Sequence, residues 1–241
     1  GMKTVVGVDR CKTGWVSVAL TGDDAEVKVF DNIRQLWMVY EPASVILIDI
    51  PIGLPDGGKE ARDCDHQARQ LLGPRRRSVF PVPVRDVLQC DTYEEACAVN
   101  YEKTGKKISK QAWNIVPKIK EVDELLLAKP KSRKKIRESH PEVCFMTLQH
   151  QPMDHAKKNP VGFLDRLQML QQFRPDAEKI IRQAAREYKQ RAVASDDVMD
   201  ALALAITASV RADKLKTLPK KPPKDGEGLR MEMVYRVVNE K

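Results

Sequence analysis

Four aspartates occupy places where a carboxylate is costly. Asp9 closes an apolar run carried by Val5, Val6 and Val8, and Asp49 closes SVILIDIP, the most hydrophobic run in the chain. Asp197 and Asp200 open SDDVMDALALAITASV, which is otherwise almost entirely apolar. A charge at the end of a buried element costs free energy unless it is solvated, paired or metal-bound. Asp197 and Asp200 stand three apart, so they share one helix face. Leu204 and Ala208 continue that face, which is therefore no solvated stripe. Taken singly, each acid has a structural reading: a turn residue, or a helix start that caps and complements the dipole. Three separated elements that each pair an acid with burial point instead to a metal site. Two divalent ions about 4 Å apart need a bridging carboxylate and flanking ones, with one ion activating water and the other stabilising the leaving oxygen. Oxygen ligands suit Mg²⁺ or Mn²⁺. With 4 histidines and no CxxC, zinc is the weaker choice. Glu142, in ESHPEVCF beside Glu138, Ser139 and His140, is a further candidate to complete the site. Its alternative reading is a Pro-Glu helix start placed favourably on the dipole.

The elements that must position these acids follow from periodicity. Residues 5–8, 15–20 and 25–30 read as three strands with short spacers, hence an antiparallel meander. Asp31 is the expected cap of a helix that stops before Pro42. The continuous apolar run before Asp49 predicts a strand buried on both faces of a mixed sheet. From about 51 to 135 the chain becomes rich in proline and basic residues, with helical patterns at 61–72, 93–101 and 110–127. That stretch reads as a mainly helical insertion that leaves the sheet after Asp49 and overhangs the carboxylate edge. Residues 136–139 return to the sheet, and Pro141 suits a first helical turn. Helices are expected at 161–173, 175–191 and 195–212. A Lys/Pro-rich extension follows from about 213 to 241, with MEMVYRVV as a last edge strand. The expectation is a single domain over residues 2–241, in the α/β class. Gly1 before Met2 reads as a tag scar and is set aside.

Bulk properties bound the partners. The chain has 241 residues, 42% of them hydrophobic, enough to bury a core. A formal net charge of +8 suggests an anionic partner. Cys11, Cys64, Cys90, Cys97 and Cys144 are odd in number and widely spaced, so reduced thiols are expected rather than a disulfide frame. No apolar stretch approaches bilayer-spanning length. The expected location is the cytoplasm.

The spacing of Asp9, Asp49 and the Asp197-x-x-Asp200 pair is similar to that of RNase H-like nucleases, the RuvC-type resolvase branch being nearest. More closely, GVDRCKTGWV, IDIPIGLP, RxCDxxAR at 62–69, RRRSVFPVP, GKKISKQAWNIVPKIKEVD, ESHPEVCF and SDDVMDALALA, in this order, resemble one widespread domain-of-unknown-function family predicted to be RNase H-like nucleases. The match runs from about Val5 to Ala212. The resemblance implies an RNase H-like mixed sheet with flanking helices and a metal-dependent nuclease activity. Asp9 would be the strand-one acid, Asp49 the later-strand acid, and Asp197 and Asp200 the helix acids. Resolvases usually carry glutamate at the later strand; the aspartate here is one methylene shorter.

Basic groups near the proposed site sharpen the substrate class. Arg75, Arg76, Arg77 and Lys110 are the candidate phosphate contacts, because guanidinium groups match phosphate oxygens bidentately. Arg62, Arg69, Lys106, Lys107 and Gln111 lie in the same insertion, and Phe80 and Trp113 offer stacking surfaces. Lys131, Arg133, Lys134, Lys135 and Arg137 form a cruder patch. The leading expectation is a Mg²⁺- or Mn²⁺-dependent nuclease or phosphodiesterase acting on nucleic acid or another phosphodiester. A noncatalytic nucleic-acid or nucleotide binding module is the second reading. A phosphotransferase is the third, and no Walker-type glycine loop supports it.

Overall fold

The protein is described by a computed structural model over residues 2–238; Gly1 and residues 239–241, the end of the expected extension, lie outside the described residues. Strands β1 (Thr4–Cys11), β2 (Gly14–Thr21) and β3 (Asp24–Phe30) form an antiparallel meander. Helix α1 (Ile33–Tyr40) follows, and its cap is Asn32 rather than the expected Asp31, with the Asn32 side chain accepting from Gln35 N. Strand β4 (Val45–Ile48) runs parallel to β1, and β5 (Ile136–Glu138) runs parallel to β4. The sheet order is β3-β2-β1-β4-β5. This is an α/β protein with a five-stranded mixed sheet.

The insertion between β4 and β5 carries α2 (Asp63–Leu72), α3 (Tyr93–Thr104), α4 (Lys110–Ala128) and the short α5 (Pro130–Arg133). Two 3₁₀ turns, Gly73–Ser78 and Arg85–Gln89, interrupt it. After β5 come α6 (Pro141–Gln149), α7 (Pro160–Phe173), α8 (Ala177–Glu187) and α9 (Ser195–Ala208). The expected helix ends at 191 and 212 fall short in both cases, α8 stopping at Glu187 and α9 at Ala208. Successive residues of a strand face opposite sides, and the core divides accordingly. Val6, Val8, Ile46 and Ile48 pack with α1 and α4, whereas Val5 and Leu47 pack with α6, α8 and α9.

The packing of α9 on the sheet depends on Gly7. A Cβ built there would stand 2.0 Å from the Ala201 carbonyl oxygen and 2.4 Å from the Ala205 nitrogen. Any side chain at that position would push the aspartate-bearing helix off β1. The alanines of α9 complete the same close fit, and nearly the whole helix is buried.

The C-terminal extension is firmly attached. Strand β6 (Leu215–Leu218) pairs antiparallel with β7 (Met233–Arg236), so the expected edge strand belongs to a separate two-stranded sheet. Ser139 Oγ donates to the Val234 carbonyl at 2.8 Å, and Arg85 bridges Asp123 and Asp225. The five cysteines are free of disulfides.

A candidate carboxylate site at the sheet edge

Strands β1 and β4 are neighbours, with Val8 opposite Ile48, so Asp9 and Asp49 leave the sheet side by side. The Asp49 amide donates to the Val8 carbonyl at 3.0 Å, which continues the ladder up to the two acids. From the other direction α9 delivers Asp200, buried at 2% exposure, and the half-buried Asp197. Asp197 also caps its own helix, its Oδ2 accepting from the Ala194 amide at 3.1 Å. Asp9 Oδ1 accepts from the Arg10 amide at 2.9 Å.

The cation that meets these acids is Lys157, in the loop between α6 and α7. Its ammonium bonds directly to Asp200 and lies 3.7 Å from Asp196. Lys157 and Asp49 both line two spaces. One is a cleft of about 640 Å³ shared with Arg75, Arg76, Arg77, Phe80 and Glu142. The other is a hollow of about 280 Å³ shared with Asp9, Arg10 and Asp197.

The electrostatics are those of clustered carboxylates that Lys157 and Arg10 offset only in part. Burial raises Asp9 well above the usual carboxylate range, and Asp49 and Asp200 push it in the same direction. Burial pushes Asp200 up to about 7, with Asp49 and Glu142 adding and Lys157 opposing. Burial raises Asp197 too. Burial by itself would lower Lys157, but the fields of Asp200, Asp9 and Asp49 outweigh it and hold the ammonium charged. Among the acids lining the cleft, Asp200 Oδ1 and Glu142 Oε2 are buried without a partner. The other oxygen of Glu142 is held by Arg166 Nη2 at 2.7 Å.

Oxygen donors with unmet acceptors fit a hard divalent cation. As it stands, however, no group of three or more His, Cys, Asp or Glu side chains among the described residues is arranged to hold a metal ion. The electrostatic centre is taken by Lys157 instead.

The basic residues separate into those at the cleft and those elsewhere. Arg75, Arg76 and Arg77 sit on the 3₁₀ turn that walls the cleft, beside Asp49, as the overhanging insertion requires. Lys110 does not share that place. Its Nζ lies 4.9 Å over the Tyr93 ring, and among the described residues of α4 it is Gln111 that reaches the cleft. Trp113 packs on the core beneath α4 while Phe80 lines the cleft. His140 is a strut: its Nδ1 accepts from the Glu142 amide at 3.2 Å, leaving Nε2 to donate to the Ser78 carbonyl at 3.0 Å. Within the patch at 131–137, Arg133 holds the Leu126 and Leu127 carbonyls and Arg137 holds Glu232.

Sequence reasoning missed Lys157 and Arg166, and it set Arg62 among the basic groups near the site rather than in the buried triad that it forms with Asp65 and Glu138. Arg62 forks onto Asp65 and onto Glu138, and Glu138 Oε1 also accepts from the Ile52 amide at 2.6 Å. The i,i+3 spacing of Arg62 and Asp65 was a visible signal; Glu138, 76 residues away, gave none.

The fold and site thus define an α/β protein with a buried carboxylate–lysine cluster at the edge of a mixed sheet. The chain belongs to the family described as Protein of unknown function (DUF429), whose model matches residues 7–224. No curated protein and no solved structure matches it.

Proposed function

We propose that the protein is a divalent-metal-dependent phosphodiesterase, a nuclease of RNase H-like architecture. The observation that carries this reading is the convergence of Asp9, Asp49 and Asp200 from three elements onto one lysine, with Asp200 Oδ1 buried and unpartnered. The architectural part rests on the antiparallel meander flanked by parallel strands, with Asp9 on β1 and Asp49 directly after the adjacent β4. Asp9, Asp49 and Asp197 line the hollow and would hold Mg²⁺ or Mn²⁺ there; Asp200 and Glu142, the candidates for a further oxygen, line the adjoining cleft. A bound divalent ion would supply Lewis-acid activation of water and of a phosphoryl oxygen. The chain's own residues do the remaining work. Arg75, Arg76 and Arg77 bind phosphate oxygens from the cleft wall, Phe80 offers an aromatic face to a base, and Lys157 fixes a positive charge where the cleft meets the hollow.

Nucleic acid or another phosphodiester is the proposed substrate, and the cytoplasm the proposed location. No helix among the described residues is long and apolar enough to cross a membrane. One observation favours a second reading, a noncatalytic nucleic-acid or nucleotide binding module: the lysine that fills the cluster. A screen of DNA, RNA and small phosphodiesters with Mg²⁺ and Mn²⁺ separates the two. The phosphodiesterase reading expects divalent-dependent turnover that Asp9→Asn abolishes. Binding without turnover under every metal condition would leave the binding module.

A further inference from the structure

We propose that the cleft seats one unpaired nucleotide of a single strand, its phosphate held by Arg10 and Arg75 and its base against Phe80. This rests on the phosphodiester reading above and names its substrate class; no metal ion enters it.

Arg10 reaches the cleft through strand alternation. On β1, Val5 and Gly7 face α9, whereas Val6 and Val8 face α1 and α4. Asp9 therefore turns with Gly7 toward the aspartate-bearing helix, and Arg10 turns with Val8 toward the insertion. Arg75 comes to the same cleft from the 3₁₀ turn of the insertion. Sheet edge and insertion thus contribute one guanidinium each.

Neither guanidinium is engaged elsewhere. Arg62, Arg85, Arg137 and Arg166 each hold a carboxylate. Among the described residues Arg10 and Arg75 hold none. Both are half-buried, and the Nε of each is buried without a hydrogen-bond partner. Arg85 and Arg174 also leave one nitrogen unmet, but their other nitrogens are bonded to acids. A buried donor without an acceptor costs free energy. At the wall of an open cleft an oxyanion relieves that cost, and a phosphate offers oxygens to both guanidinium forks.

The size and lining of the cleft define the rest of the ligand. Its volume, about 640 Å³, is that of a pocket for one small ligand. A duplex is read the other way round, by a protruding helix or ribbon that enters its groove. A strand with unpaired bases can turn one base inward to stack on an aromatic ring. Phe80 provides that ring, and Ile50, Pro51, Val82 and Met233 extend the apolar lining. Free guanidinium groups and an apolar wall in one concave space fit a nucleotide rather than a duplex backbone.

The test is fluorescence anisotropy in chelator, with a labelled mixed-sequence oligonucleotide offered single-stranded and annealed to its complement. Wild type should bind the single strand at least about tenfold more tightly than the duplex. Arg10→Ala and Arg75→Ala should each weaken single-strand binding by about tenfold. Phe80→Leu should narrow the gap between the two probes, which loss of charge alone would not do. Lys110→Ala removes a like charge outside the cleft and should change nothing. Arg75 stands on a turn with no buried residue, so Arg75→Ala carries the test if Arg10→Ala fails to fold. Equal affinity for the two probes, binding that requires Mn²⁺, or unchanged affinity in a folded Arg10→Ala or Arg75→Ala overturns the inference and leaves the phosphodiesterase reading standing. No binding of either probe, in chelator or in Mn²⁺, overturns both.

Discussion

Arg62 meets Asp65 and Glu138 in one cluster, and Lys157 meets Asp200 in another; all five residues line the same cleft. In the first cluster both oxygens of each acid accept hydrogen bonds from a guanidinium that is itself fully engaged. In the second, the buried Asp9 and Asp200 and the half-buried Asp49 meet only Lys157 and Arg10, and Asp200 Oδ1 has no partner. Unit charges about 4 Å apart interact by about 4 kcal/mol at an effective dielectric of about 20, so the shortfall is large on the scale of folding stability. The contrast separates a brace from a site. The Arg62 cluster ties α2 to β5 and to the backbone after Asp49, and it is complete without a ligand. The Lys157 cluster is incomplete in a way that a further cation would relieve.

The largest expected effect comes from breaking the brace. Arg62→Met leaves Asp65 and Glu138 buried without their counter-ion and should destabilise the protein by about 3–5 kcal/mol, the usual consequence of removing one partner from a buried pair. Urea denaturation measures it. A loss below about 1 kcal/mol would mean that the two clusters do not differ as described.

The pH dependence of stability sharpens the comparison next. Asp200 is raised from its ordinary 3.8 to about 7, so between those values the folded state binds a proton that the unfolded state releases. The stability this contributes is complete below about 3.8 and is lost as pH rises through about 7. In chelator, the wild-type melting temperature should therefore fall from pH 5 to pH 8, and Asp200→Asn should flatten the fall. Glu138, which burial pushes up to about 7 against the pull of Arg62, slopes the same way in both proteins and cancels in the difference. Identical slopes would remove Asp200 from the account.

The cleft supplies smaller effects. Single changes of Arg75, Arg76 or Arg77 to Ala should weaken binding of a phosphodiester ligand by about tenfold where a charge-assisted hydrogen bond is lost. Lys110→Ala, away from the cleft on Tyr93, should leave binding unchanged. Fluorescence anisotropy with a labelled oligonucleotide compares the series. A Lys110→Ala loss equal to that of the arginines would contradict the placement of both.

The division between what sequence revealed and what it hid has a physical cause. Asp9 and Asp49 were legible because each ends an apolar run, and Asp200 because it interrupts an apolar helix; these signals are local. The meander was legible from spacer length, and the cleft position of Arg75, Arg76 and Arg77 from the insertion that carries them, which leaves the sheet after Asp49. Lys157 was not legible. It lies in a loop, in HAKKNP, where a lysine is the ordinary solvated residue and no periodicity marks it. Its meaning comes from Asp200, 43 residues away, and from Gly162 and Arg166, which fix the loop. Lys110 misled for the converse reason. It begins a helix within a family motif, but the helix turns its Gln111 to the cleft and leaves Lys110 over an aromatic ring.

The central claim is that the second cluster is a divalent-metal site rather than a second brace, and calorimetry of wild type against Asp9→Asn, each in chelator and in millimolar Mn²⁺, tests it most directly. Binding to the native state raises stability by mass action, and removing one of several mutually repelling carboxylates relieves strain when no ion is present. Wild type should therefore melt higher in Mn²⁺ than in chelator, whereas Asp9→Asn should melt at or above wild type in chelator and lose most of the Mn²⁺ gain. No Mn²⁺ gain in wild type, together with an Asp9→Asn variant that melts lower in chelator, would show that Asp9 belongs to a structural ion network and would contradict the account.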